Sequence, residues 1–136
     1  EQQLVKQALL KVIERHEKRT ATKVTHHLPD IPDYIKTSTK ICIYRLFQEG
    51  LNNAYQHGKG INQEINVKIK DNQLELTISD GGPGIDINDV HNFNGPDHLG
   101  LRGMRERVES LGGQFEITNN EKSSGAKLIA KLPLRS

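Results

Sequence analysis

The sequence has no tryptophan, one cysteine and one methionine, and only three phenylalanines and three tyrosines among its 136 residues. Aromatic packing is therefore sparse, and a core must be assembled from Ile, Leu and Val. The lone cysteine, Cys42, excludes an internal disulfide framework and suits a reducing compartment. No apolar run approaches the roughly 20 residues of a membrane-spanning helix, and no secretory signal is visible. Charge of one sign is lacking too: 19 Lys and Arg against 17 Asp and Glu leave a formal charge of +2. That is not the basic footprint of a nucleic-acid binder, so no nucleic-acid partner is expected. What is present, 136 residues with 34% hydrophobic content, suits one domain able to bury a core without disulfides or a structural metal. The chain starts at Glu1 and its one methionine is Met104, so it reads as a piece of a longer protein.

Hydrophobic spacing places the elements. Residues 3–18 carry Leu4, Ala8, Leu9, Val12 and Ile13 at helical intervals. A short strand is expected within "RTATKVTHHL", followed by the turn-forming "PDIPD". A long helix is expected over 37–57, capped by Thr37 or Ser38 and ended by Gly58 and Gly60. Ile43, Tyr44, Phe47, Leu51 and Ala54 form its apolar side, and Glu49, Asn53, Gln56 and His57 the opposite one. Ile65, Val67 and Ile69 alternate in one strand and Leu74, Leu76 and Ile78 in the next, with "KDNQ" as the hairpin turn. Residues 86–98 read as an irregular polar loop, 101–111 as a helix closed by Gly112 and Gly113. Strands follow around Phe115 and Ile117 and over Ala126–Leu132, with "NNEKSSG" turning between them. Helices segregated from a mainly antiparallel, hairpin-rich sheet give an α+β class, a two-layer sandwich.

Four stretches carry chemistry. Residues at i, i+4 and i+8 drift by about 40° per step on a helix, so Glu49, Asn53 and His57 make one polar stripe. Glu and Asn offer the oxygen ligands that a hard cation such as magnesium prefers. His57 and Lys59 stand where the helix ends and suit a phosphate. The alternative is a solvated helix face, although two adjacent asparagines are poor helix formers there. In "TISDGGPGI", Asp80 ends an apolar strand before Gly81, Gly82 and Gly84, which let a ligand approach the backbone. An ionised Asp only accepts hydrogen bonds and would take one from an amino group such as that of adenine. A plain glycine turn is the alternative. In "HLGLRGMRERVESLGG", Gly100 and Gly103 lie where a loop meets a helix, whose free N–H groups attract anions. Arg102 and Arg105 oppose the helix dipole there, which a bound polyphosphate would relieve. In "SSGAKLIAKLP", Gly125 would mark a close backbone approach.

In order and spacing, "QEGLNNAYQH", "SDGGPG", "LGLRGMRERV" with "LGG", and "SGAKL" with "LP" resemble the ATP-binding domain of histidine kinases, in the wider group with gyrase, Hsp90 and MutL. The likeness is closest to sensor kinases of the NarX, DegS and DesK type, whose domains typically carry "QEALxNAxKHA", "DxGxG" and "GLxGMRERV". It covers about residues 20–134. It implies a Bergerat fold, a mixed, mainly antiparallel sheet covered on one face by helices, and it implies ATP and Mg²⁺. By this resemblance Asn53 is the magnesium ligand with Glu49 beside it, and Glu49 orients water or holds the metal's hydration shell. His57 lies near the phosphates, with Lys59 added on charge and reach. Asp80 receives the adenine amino group, and Gly82 and Gly84 let adenine and a lid approach. Residues 86–99 are the lid, Gly100 and Gly103 form its hinge beside the phosphates, and Leu101 is counted with them among the nucleotide-binding residues.

The sequence departs from the pattern at Gln56, where relatives carry Lys; at His98, where many carry glycine; and at Ala126, where a threonine is usual. No phosphoacceptor motif is present: His16 lacks the "HDxxxQ" surroundings, and His26 and His27 fall on an expected strand. Residues 1–18 are therefore expected to connect from an absent dimerisation and phosphoacceptor domain, with 19–136 as the ATP-binding catalytic domain. The expected partners are that domain, within a homodimeric parent, and a response regulator. The expected location is the cytoplasm, in a parent of a kind that often spans a membrane. Two alternatives stand beside this protein-histidine kinase: an ATPase or serine kinase of the same superfamily with Glu49 as base, and a degenerate nucleotide site serving as an interaction module.

Overall fold

The computed structural model describes residues 3–84, 99–119 and 125–135. The elements follow the order α1 (Leu4–Thr20), β1 (Val24–His27), α2 (Thr37–Gln56), β2 (Gln63–Lys70), β3 (Gln73–Ser79), α3 (Leu99–Ser110), β4 (Gln114–Asn119) and β5 (Ala126–Pro133). The five strands form one sheet ordered β1-β2-β3-β5-β4. β1 runs parallel to β2, and every other pair is antiparallel. The expected α+β sandwich with a mixed sheet is thus found.

Alternation in the strands decides which face is covered. Ile65, Val67, Leu74, Leu76, Ile78, Leu128, Ala130 and Leu132 point to one side and are buried. Their neighbours Glu64, Lys68, Glu75 and Lys131 point to the other, where Lys131 and Glu75 pair at 3.8 Å. The helices cover the apolar side. α2 presses Ile43, Leu46, Phe47 and Leu51 onto it, α1 adds Leu9, Val12 and Ile13, and α3 adds Leu101, Met104 and Val108. Each set recurs at three- and four-residue intervals, as one helix face requires. α1 extends past the expected boundary at residue 18, and its apolar face belongs to the same core as the rest.

Several local expectations are refined. Neither Thr37 nor Ser38 caps α2: Lys36 stands at the cap without a side-chain hydrogen bond, and Thr37 is already helical. In the β2–β3 hairpin Asp71 (φ 54°) and Asn72 (φ 61°) both take left-handed conformations, the pair that a two-residue turn matching the strand twist demands. The "PDIPD" segment does more than turn, because Ile31 and Ile35 are buried in the core. α3 starts at Leu99 rather than 101, so Gly100 and Gly103 lie within its first turns.

Two buried polar groups are fully accounted for. His16, 4% exposed, meets the Gln63 carboxamide at 2.8 Å. The Gln63 nitrogen donates to Thr22 and to the Lys23 carbonyl, which leaves its oxygen to accept from His16 Nε2–H. Nδ1 then accepts from Arg19 at 3.3 Å. This neutral tautomer satisfies the ring and pins α1 to β2. Cys42 is buried, and burial pushes its thiol up to about 11; Arg107 opposes that rise and Glu49 adds to it. Native Cys42 should therefore resist iodoacetamide at pH 8 and react once the chain is unfolded in urea. Equal rates in the two states would contradict this. Because the folded value exceeds the unfolded one, the stability that neutral Cys42 contributes is complete below pH 9 and is lost as pH rises toward 11.

Candidate functional site

At the end of β3 the apolar alternation stops at Asp80, which is 7% exposed. Its backbone N–H donates to the Ala126 carbonyl at 3.1 Å, which continues the β3–β5 ladder by one residue. Its side chain then turns back on the chain. Oδ1 accepts from the Gly82 N–H at 2.9 Å and from the Ala126 N–H at 3.4 Å. The other carboxylate oxygen accepts no hydrogen bond among the described residues. Burial raises the Asp80 pKa above its ordinary value; the Gly82 and Ala126 amides and the nearby His57 work against that rise.

Such a carboxylate fits only because side chains are missing around it. A Cβ at Gly125 (φ 108°) would overlap the Asp80 carbonyl oxygen, and one at Gly58 would overlap the carboxylate itself. Gly125 thus marks the expected close approach at the start of β5. Gly58, expected only to end α2, proves to be the floor beneath the carboxylate.

Asn53 from α2 and His57 at its C-cap, Ile78 from β3 and Asp80 just after it, Leu101 from α3, Ile117 from β4, and Ala126 and Leu128 from β5 line one cleft, joined by Gly50, Ala54 and Lys127. It is narrow, about 50 Å³, and mostly apolar, with Asp80 its one acidic lining residue. Asn53 Nδ2 is buried and has no hydrogen-bond partner among the described residues. Oxygen and nitrogen of a carboxamide exchange by a simple flip, so this is a polar group held ready for a donor or an acceptor. A buried group left so costs about 1–3 kcal/mol and is the kind of cost that sites carry. A larger cavity of about 530 Å³ opens between α1 and α2, lined by Arg15, His16, Arg19, Gln48 and Asn52 among others. Its one acidic lining residue is Glu49, which is half-buried and paired with Arg107.

Of the residues that sequence reasoning singled out, Asn53, His57, Asp80 and Leu101 come together in the cleft. Gly82 and Gly84 lie just behind, the first as an Asp80 donor, the second at φ 90° against Asn119. Glu49 does not line the cleft. Its carboxylate meets Arg107 Nη1 at 3.2 and 3.4 Å. Lys59 is exposed in the left-handed turn after α2 (φ 59°), outside the lining. Gly100 is exposed, and among the described residues a Cβ there would meet nothing within 4 Å, while one at Gly103 would touch only Arg107. The lid expected over 86–99 and the departure at His98 lie outside the described residues, apart from Leu99, which opens α3. The cleft walls Ile78, Ile117 and Leu128 were missed. Ile78 was recoverable, two residues before Asp80 on the same strand face. Ile117 and Leu128 required the knowledge that β4 and β5 pair at that register.

The profile of the family described as histidine kinase-, DNA gyrase B-, and HSP90-like ATPase matches residues 39–136. The chain belongs to that family. Within it, the domain is of the ATP-binding catalytic type of sensor histidine kinases. The sensor histidine kinase LiaS of Bacillus subtilis is 25% identical over 130 residues, 96% of this chain and 34% of LiaS. The sensor protein VraS of Staphylococcus aureus is 29% identical over 120 residues, 87% and 32% of the two chains. The nitrate/nitrite sensor protein NarX of Escherichia coli is 27% identical over 111 residues, 82% and 18%. The chain therefore spans about a third of the first two relatives and less of NarX. Among solved structures, the Acinetobacter baumannii histidine kinase AdeS superposes with a TM-score of 0.74 at 21% identity, covering 97% of this chain and 64% of that one. The histidine kinase domain of the Erythrobacter litoralis EL346 blue-light activated kinase gives 0.72 at 24%, covering 93% and 59%. At those identities the superpositions establish the fold. No helix among the described residues of this ATPase-family domain is long and apolar enough to cross a membrane.

Proposed function

We propose that this chain holds ATP with Mg²⁺ and presents the γ-phosphoryl group to a histidine on another part of its parent kinase. The observation that carries this is the buried Asp80, with one oxygen locked by two backbone amides and the other left to accept. An adenine amino group offers the matching donor, and Ile78, Ile117 and Leu128 offer apolar walls for a flat ring. Ala126 contributes its N–H and C=O to Asp80. Both are backbone groups, so the missing hydroxyl leaves the anchor intact. Gln56 is exposed at the end of α2 and outside the cleft.

The phosphates would extend along α2 toward Asn53 and His57. Magnesium keeps most of its water and needs only one or two protein oxygens, a demand that the Asn53 carboxamide, whose Nδ2 has no partner among the described residues, would meet through its oxygen. When bound, the ion would neutralise and orient the phosphate oxygens, which is most of what phosphoryl transfer requires. The nucleophile would come from elsewhere. His16 is buried and bonded to Gln63, and neither His26 nor His27 lies near the cleft lining. We further propose that the parent is a homodimeric sensor kinase that passes the phosphoryl group to a response regulator, and that α1 leads in from its phosphoacceptor domain.

Incubated with γ-labelled ATP and Mg²⁺, the isolated chain should retain no acid-labile phosphate, and adding the parent's phosphoacceptor domain should place label on that domain. Label on this chain alone would contradict the proposal. Asn53→Ala should remove most of the enhancement that Mg²⁺ gives to nucleotide binding. An unchanged enhancement would place the metal elsewhere.

A further inference from the structure

Glu49 precedes Asn53 by one turn of α2, yet the two side chains have different surroundings. Asn53 lines the Asp80 cleft, whereas Glu49 is absent from its lining. Both Glu49 oxygens lie within 3.4 Å of the Arg107 guanidinium, 58 residues away on α3. Each partner is half-buried, with side chains 38% exposed for Arg107 and 30% for Glu49. Cys42, one heptad before Glu49 and buried in the core, senses the charge of both. The pair thus joins α2 to α3, whose Leu101, Met104 and Val108 belong to the buried core.

A carboxylate whose two oxygens both meet a guanidinium has little lone-pair capacity left to accept from a water. It is also a poor ligand for a hard cation, since its charge and lone pairs are already engaged. α3 carries Leu101 into the cleft, so whatever fixes α3 against α2 also fixes one wall of the site.

We propose that Arg107 and Glu49 act together as positioning residues that clamp α3 onto α2 and so hold the nucleotide cleft in shape, leaving Asn53 as the metal-facing side chain of α2. This rests on the ATP-binding function proposed above and assigns Glu49 a part distinct from metal ligand or water-activating base.

The test is a double-mutant cycle read in nucleotide affinity, using a non-hydrolysable ATP analogue with and without Mg²⁺. Glu49→Gln and Arg107→Gln should each weaken binding by a similar factor, roughly fivefold or more. The double variant should be no weaker than either single one. The ratio of affinities with and without Mg²⁺ should remain that of the wild type throughout. Arg107→Lys should recover part of the loss, and the charge-reversed pair, Glu49→Arg with Arg107→Glu, should bind better than either reversal alone. A general loss of fold would lower every affinity without such rescue, and thermal melting of each variant identifies it. The proposal is overturned if Glu49→Gln abolishes the Mg²⁺ enhancement while Arg107→Gln leaves it intact, or if the losses simply add. If the wild-type chain binds no nucleotide at all, the functional proposal fails first and this one falls with it.

Discussion

Asp80→Asn should weaken binding of an ATP analogue by about 100-fold while leaving the melting temperature at pH 7 unchanged or slightly higher. The two effects have separate causes. Asparagine preserves the size and the oxygen that accepts from Gly82 and Ala126. In place of the free acceptor it presents an N–H₂ group, which would face the donors of an adenine amino group and leave both unpaired. Stability moves the other way because burial raises the Asp80 pKa. A carboxyl whose folded pKa exceeds its unfolded one contributes stability that is complete below the unfolded value and lost as pH rises through the folded value. At neutral pH the ionised group is thus a cost to the fold that asparagine does not carry. The same shift predicts that nucleotide binding weakens on acidification at a higher pH than an ordinary aspartate would give. A variant that binds nucleotide as wild type does would remove Asp80 from the site. One that melts far below wild type would make Asp80 a structural residue.

Gly125→Ala should be the most damaging single methyl group in the chain, at roughly 2–5 kcal/mol in urea unfolding. Alanine is strained at φ 108°, and its Cβ would overlap the Asp80 carbonyl oxygen, a backbone atom that cannot rotate away. Relief would require the start of β5 to move off β3, which would carry the Ala126 N–H away from the Asp80 carboxylate. Any folded variant should therefore also bind nucleotide poorly. Gly112→Ala is the control: φ is also positive there, at 81°, but the added Cβ would meet only Pro133 at 3.9 Å. Its cost should stay near about 1 kcal/mol, that of backbone strain alone. Equal losses at the two positions would mean that strain, and not the packing against Asp80, is what matters at 125.

These two residues also show what was legible in the sequence. Asp80 announced itself because an apolar period-two pattern ended on an acid followed by glycines, a local signal. Gly125 could be marked as a close approach, but not against what, because its neighbour lies 45 positions away across a strand pairing. The sheet strands and the three helices among the described residues followed from periodicity, with ends shifted where capping chemistry was weak: Lys36 rather than a hydroxyl residue precedes α2, and α3 tolerates Gly100 in its first turn. Glu49 is the instructive case. Helical spacing correctly put it near Asn53, but a 40° offset per four residues suffices to send one side chain into the cleft and the other to Arg107. Nothing local in "LFQEGLNN" or "GMRERV" states that the two stretches share an ion pair. Lys59 likewise stands outside the cleft lining, in the left-handed turn that follows α2.

Calorimetric titration of the chain with a non-hydrolysable ATP analogue, with and without Mg²⁺, tests the central claim most directly. The predicted result is saturable binding of one nucleotide, tightened by Mg²⁺ and lost in Asp80→Asn. No heat of binding at millimolar nucleotide with Mg²⁺, from a chain that melts cooperatively, would contradict it.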